Sequence, residues 1–120
     1  MPEVPEITTK SATHDVRLLH AAKDGDLTRV EALLKEGLNV NEQDGEGITP
    51  LIIASCAGNL DVVKALLTDG ADTSIEDKLG WNAYKSAMLF GDLKGHTLEP
   101  FKQIMELIKK NDLSNSSNGT

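Results

Sequence analysis

Apolar residues recur along the middle of this chain in a rhythm that helices produce. In "LDVVKALLTDG", Leu60, Val63, Leu66 and Leu67 follow i, i+3, i+7 spacing with one neighbour added, which makes one buried stripe on a helix. Upstream, Thr49-Pro50 offers a hydroxyl N-cap followed by Pro at the first helical position, where its fixed φ helps and its missing N–H costs nothing. The helix it starts runs to Gly58. Asn59 and its counterpart Asp26 stand where they can cap the second helices of their units. Gly70 can adopt the left-handed conformation that ends a helix, and "ADTSIEDKLG" then lacks helical periodicity and reads as an extended finger.

The unit repeats. A displacement of 33 residues places Gly25 on Gly58 on Gly91, Ala21 on Ala54 on Ala87, and Leu27 on Leu60 on Leu93. The same displacement places Leu33-Leu34 on Leu66-Leu67, Gly37 on Gly70, Asp44 on Asp77 and Gly47 on Gly80. In the third unit the second helix reappears after 41 residues instead, where Phe101, Ile104, Leu107 and Ile108 match Leu60, Val63, Leu66 and Leu67. Eight residues are therefore inserted between roughly Asp92 and Pro100, with Glu99-Pro100 placed to start the delayed helix with Pro at its first position.

A 33-residue period carrying "TPLIIAS", an inter-helix Gly, "VVKALL" and "GAD" resembles the ankyrin repeat. The resemblance implies an all-α solenoid of helix-turn-helix units joined by hairpin-like fingers. It covers residues 15–112, divided at about 15–44, 45–77 and 78–112, with residues 1–14 and 113–120 expected to be mobile tails. Ile52 stands where the family usually has a His that hydrogen-bonds neighbouring backbone. The first unit lacks Thr-Pro and carries Arg17, His20 and Lys23, as an N-terminal cap would; "NAY" at 82–84 replaces Thr-Pro-Leu, as in a C-terminal cap. Cap, internal unit and cap predict a complete small protein.

Charge is uneven along these units. Between residues 36 and 77 nine acidic side chains, Glu36, Glu42, Asp44, Glu46, Asp61, Asp69, Asp72, Glu76 and Asp77, accompany Lys64 alone, a net −8 against −7 for the whole chain. Such a field repels nucleic acid and anionic membranes and favours a basic partner. The start, "MPEVPE", has no basic and apolar leader pattern, and the lone Cys56 forms no intrachain disulfide, so a reducing, cytoplasmic setting is expected. The sequons at Asn115 and Asn118 lie in an Asn- and Ser-rich tail and carry little weight.

Catalytic chemistry finds little footing. Cys56 falls among apolar neighbours at a helix end and reads as a packing residue; His14, His20 and His96 fall in a tail, a cap and the insertion. The spacing of His14 and His20 does not put them on one helix face as metal ligands, and "KDGD" at 23–26 is explained as an inter-helix turn rather than a calcium loop. No cofactor, metal or catalytic residue is expected.

Ankyrin-like proteins generally meet partners with their finger tips and inner-helix face. The resemblance therefore points to Lys23, Asp24, Glu42, Glu46, Ile48, Lys78, Leu79, Trp81, Leu89 and Phe90, with Gly45, Cys56 and Ala57 beside them. Ile48, Leu79, Trp81, Leu89 and Phe90 form an apolar cluster that contains the single Trp, and large aromatics are frequent interface anchors. A cap could instead fold Phe90 and Trp81 under the inserted segment. The expected function is a monomeric protein-binding module acting as a stoichiometric regulator: an inhibitor, immunity factor or assembly helper. An adaptor using the second helices or the 92–100 insertion, an enzyme pairing His96 with Cys56, and a self-associating structural protein are the alternatives.

Overall fold

The computed structural model describes the chain over residues 16–94 and 100–119, with side chains over 16–91 and 100–112. Among the described residues there are six α-helices and no strand: α1 (Arg17–Asp24), α2 (Leu27–Lys35), α3 (Pro50–Ala57), α4 (Leu60–Thr68), α5 (Ala83–Lys94) and α6 (Phe101–Gly119). Each odd-numbered helix packs on the even-numbered helix that follows it. The row α1, α3, α5 stacks as one layer and the row α2, α4, α6 as a second. The result is an all-α repeat solenoid, with fingers leading from α2 into α3 and from α4 into α5.

Helix ends follow local chemistry at most junctions. Thr49 Oγ1 accepts the Ile52 N–H at 3.1 Å, and in the third unit Asn82 Oδ1 accepts the Lys85 N–H at 2.9 Å, so Asn replaces Thr without loss of the cap. Gly25 and Gly58 end α1 and α3 in the left-handed region, at φ 74° and 75°. Asp26 caps α2, its Oδ1 accepting the Arg29 N–H at 3.1 Å.

Asn59 departs from the expected role. Its Nδ2 donates to the carbonyls of Ala22 at 2.7 Å and Lys23 at 3.1 Å in the unit before, and it makes no side-chain cap on α4. An amide can donate where a carboxylate cannot, and the last carbonyls of α1 lack intrahelical partners. Asn59 thus satisfies the end of a neighbouring helix and ties two units together.

Gly91 is a second departure. In register with Gly25 and Gly58, it does not end its helix; α5 continues to Lys94 and Gly91 has no positive φ. Phe101 shows why glycine stands there all the same. A Cβ on Gly91 would lie 2.9 Å from the Phe101 Cβ, and one on Gly58 would lie 2.9 Å from its Cζ. The buried ring lies against both glycines, so position 91 is Gly because an aromatic packs there. Pro100 precedes α6 by one residue and its carbonyl accepts the first helical bond, from the Ile104 N–H at 2.9 Å. It therefore occupies the capping position, not the first helical one. α6 also runs past residue 112 to Gly119, where the periodicity ends the repeat.

The core is continuous across the three units. Ala21, Ala54 and Ala87 are buried in register along the first layer, and Val30, Val63 and Ile104 along the second. Ile52, at the position of the family's His, is buried. Ser55 Oγ is buried with no hydrogen-bond partner, whereas its counterpart one period earlier is Ala22. An unpaired buried hydroxyl costs about 1–3 kcal/mol.

Two outcomes follow from this packing, both readable by urea unfolding. Gly→Ala inside a helix normally stabilises by about 1 kcal/mol; Gly91→Ala is expected instead to destabilise by about 1–3 kcal/mol, because the methyl overpacks Phe101. In a Phe101→Ala background the same substitution should become stabilising. Ser55→Ala should leave stability unchanged or raise it by about 1 kcal/mol.

Candidate functional site

The fingers are built by paired carboxylate caps. Asp44 Oδ1 accepts the N–H groups of Glu46 at 2.8 Å and Ile48 at 3.0 Å; Asp77 Oδ1 accepts those of Leu79 at 2.8 Å and Trp81 at 3.0 Å. A short side chain that accepts from backbone two residues on closes the turn locally, which is why Asp recurs there. Each tip also closes backbone to backbone. The Asp44 N–H donates to the Ile48 carbonyl at 3.0 Å and the Asp77 N–H to the Trp81 carbonyl at 2.9 Å.

The two fingers are joined. The Lys78 N–H donates to the Glu46 carbonyl at 2.9 Å, and Gln43 Nε2, which donates to the Gly47 carbonyl at 2.9 Å within the first finger, also donates across to the Glu76 carbonyl of the second at 3.4 Å. Gly47 sits at φ 83°, and a Cβ there would lie 3.0 Å from the Lys78 nitrogen, so the tips approach as closely as glycine permits. At the finger bases the Asp72 N–H donates to Asn41 Oδ1 at 2.8 Å, and the Thr73 hydroxyl donates to Asp112. The Asp72 carboxylate in turn accepts the Ser74 hydroxyl and N–H, and these bonds hold its pKa below the usual value.

The candidate residues divide into two rows. Glu46, Ile48, Lys78, Leu79 and Trp81 lie on the finger tips, with Glu42 nearby on the first finger. Lys23, Asp24, Cys56, Ala57, Leu89 and Phe90 lie toward the far ends of the inner helices. An eight-residue helix such as α3 separates such rows by about 12 Å. Lys23, Asp24, Glu46 and Lys78 are exposed, whereas Glu42 is half-buried. Leu79 is 82% exposed, the most exposed large apolar side chain among the described residues. Trp81 and Leu89 are half-buried. Ile48 and Phe90 are half-buried and pack against the core, so part of each ring or chain is structural. Met88, 48% exposed on α5, is an apolar neighbour that pattern reasoning overlooked, because a cap helix leaves its periodicity ambiguous.

Cys56 is not positioned as a nucleophile. Burial pushes its thiol pKa up, Asp77 adds to that, and a hydrogen bond with Ser86 only partly offsets them. His14 and His96 lie outside the described residues, as do the segment 95–99 and residues 1–15. Among the described residues no group of three or more His, Cys, Asp or Glu is arranged to hold a metal ion, and no helix is long and apolar enough to cross a membrane. Two concavities among the described residues lie between the second helices of the units. One runs between α2 and α4 past Glu31, Lys35, Asp61 and Lys64; the other lies between α4 and α6 at Leu67, Leu107 and Lys110. Both are open grooves of mixed charge.

This architecture, two-helix units with glycine-closed turns and carboxylate-capped fingers, is that of a repeat scaffold that binds through its surface. The family pattern for ankyrin repeats in three copies matches residues 18–98, and the chain belongs to the ankyrin-repeat family. It is 39% identical over 101 residues, 82% of its length, to an ankyrin repeat and LEM domain-containing protein 1 homolog of Caenorhabditis elegans, of which it spans 14%. It is 38% identical over 76 residues to ankyrin repeat and SAM domain-containing protein 6 of Rattus norvegicus, covering 62% of this chain and 9% of that protein. Similarity to the potassium channel AKT2/3 of Arabidopsis thaliana, 44% over 55 residues, covers 46% of this chain and 7% of that protein. The chain thus spans only a small part of each of these relatives.

The turn chemistry and the thiol environment are each open to measurement. Asp77→Ala removes the acceptor for two N–H groups and should lower stability by about 1–2 kcal/mol, with proteolytic nicking appearing at the second finger. Native Cys56 should react with iodoacetamide at pH 8 more slowly than in the urea-unfolded chain. Its raised pKa favours the protonated thiol in the fold, so this contribution to stability is lost as pH rises above the usual thiol value of 9.0.

Proposed function

We propose that this domain binds a partner protein through its finger tips and inner-helix face and acts as a stoichiometric regulator of that partner. Ankyrin repeats are protein–protein interaction modules, and the chain carries three of them. The observation that carries the reading is Leu79, 82% exposed at the tip of a turn made rigid by Asp77, with Trp81 half-buried behind it. A large apolar side chain held out in water by a stiff turn gains from being covered, and little chain entropy remains to be lost when a partner covers it. The acidic fingers favour a partner with a basic surface. The domain works as a monomer in a reducing, cytoplasmic setting, consistent with an unpaired Cys56.

The adaptor reading draws on a separate observation, the grooves between α2, α4 and α6, whose lining contains no finger-tip residue. A photo-crosslinking residue placed at position 79 or, separately, at the exposed Thr68 distinguishes the two. Regulation through the fingers predicts a crosslinked partner from position 79 and none from 68. Crosslinks from both would favour the adaptor, and a crosslink from 68 alone would sink the finger surface. With the partner in hand, Leu79→Asp and Trp81→Ala should each weaken binding by about tenfold or more, as hot-spot residues do.

A further inference from the structure

Accepting that the finger tips bind, we infer that their occupant is an extended segment of a partner protein in which a Lys or Arg stands about three residues from a large aliphatic or aromatic residue. The two tips are equivalent by register and opposite in chemistry. Position 46 on the first finger is an exposed carboxylate, and position 79 on the second, one period later, is an exposed isobutyl group. Their relative placement is fixed: the Lys78 N–H donates to the Glu46 carbonyl at 2.9 Å, and Gly47 leaves no room for a wider side chain between them. Each tip is stiffened by its own Asp, so both groups are displayed in one geometry before anything binds.

That geometry converts into a spacing. Stacked elements lie about 8–10 Å apart, and an extended chain advances about 3.3 Å per residue, so matched anchors fall about three residues apart. The charges set the order. Glu46, with Glu42, Asp44 and Glu76 nearby in the chain and across the fingers, makes the first tip the place for a cation. Lys78, exposed beside Leu79, disfavours a second cation next to the apolar anchor. Nucleic acid and anionic lipid are repelled by the net −8 of residues 36–77, which leaves a basic, apolar peptide as the matching chemistry.

A phage-displayed library of random 12-residue peptides, selected on the full chain, tests this. Binding of synthesised hits is read by the emission of Trp81, the single Trp. The expected result is enrichment of Lys or Arg at a constant offset of three or four residues from Leu, Ile, Met, Phe or Trp. Leu79→Asp should weaken the hits about tenfold or more. Glu46→Lys should weaken them several-fold at low salt, and fresh selection on Glu46→Lys should replace the basic residue by Asp or Glu. Both variants are on exposed tips, and circular dichroism confirms their fold. Hits lost with Leu79→Asp but lacking the basic residue or the constant offset would overturn the inference while leaving the finger surface standing. Hits indifferent to Leu79→Asp, or no enrichment at all, would overturn both.

Discussion

The close approach of the first-layer helices is the constraint on which the rest depends. Ala21, Ala54 and Ala87 lie in register along α1, α3 and α5, each essentially without exposed surface, so at this level each helix offers its neighbours only a methyl group. No two-helix unit of this length buries enough apolar surface to be stable alone, so each relies on its neighbour's face. α3 is covered from both sides, and consequently even Ser55 is buried without a hydrogen-bond partner. The central unit contributes the core through which the outer two are held.

The same stacking places the fingers. Because α3 and α5 pack side by side, the turns that precede them emerge side by side. One backbone bond from Lys78 to the Glu46 carbonyl, together with the amide of Gln43, is then enough to join them. Asp44 and Asp77 stiffen the tips from within, and Asp72 does the same one turn earlier for Ser74. The chain therefore commits several carboxylates of its acidic middle to turn backbone. The same carboxylates that hold the turns therefore belong to the acidic field of this surface. Core and surface are connected in this way: a repeated core supports turns that hold residues such as Leu79 out at the surface.

Much of this was legible from spacing. Period, helix pairs and glycine turns at 25 and 58 followed from residues whose roles are local: a φ only Gly adopts easily, a hydroxyl that caps, a stripe that must be covered. The equivalence of Asp44 and Asp77 was visible as well, although their service to two N–H groups each was not. What spacing could not show is which side chain fills a gap from across the fold. Gly91 matched two turn glycines yet sits within a helix, where its missing side chain leaves room for Phe101, which packs onto it from beyond the eight inserted residues. Asn59 matched a capping Asp yet reaches backward to Ala22 and Lys23, because those carbonyls come within range only once the units stack.

The sequence by itself determined the class of fold, the number of units and the acidic middle, because each depends on periodicity or composition, while the candidate surface rested on the family resemblance that those residues carry. Tertiary structure decided which candidates are surface. It left Leu79 outward and drew Ile48 and Phe90 partly into the core. It also set Glu46 and Leu79 on adjoining tips although they are 33 residues apart. Exposure and adjacency are properties of how units pack, and a linear pattern carries neither until the helices have been brought together.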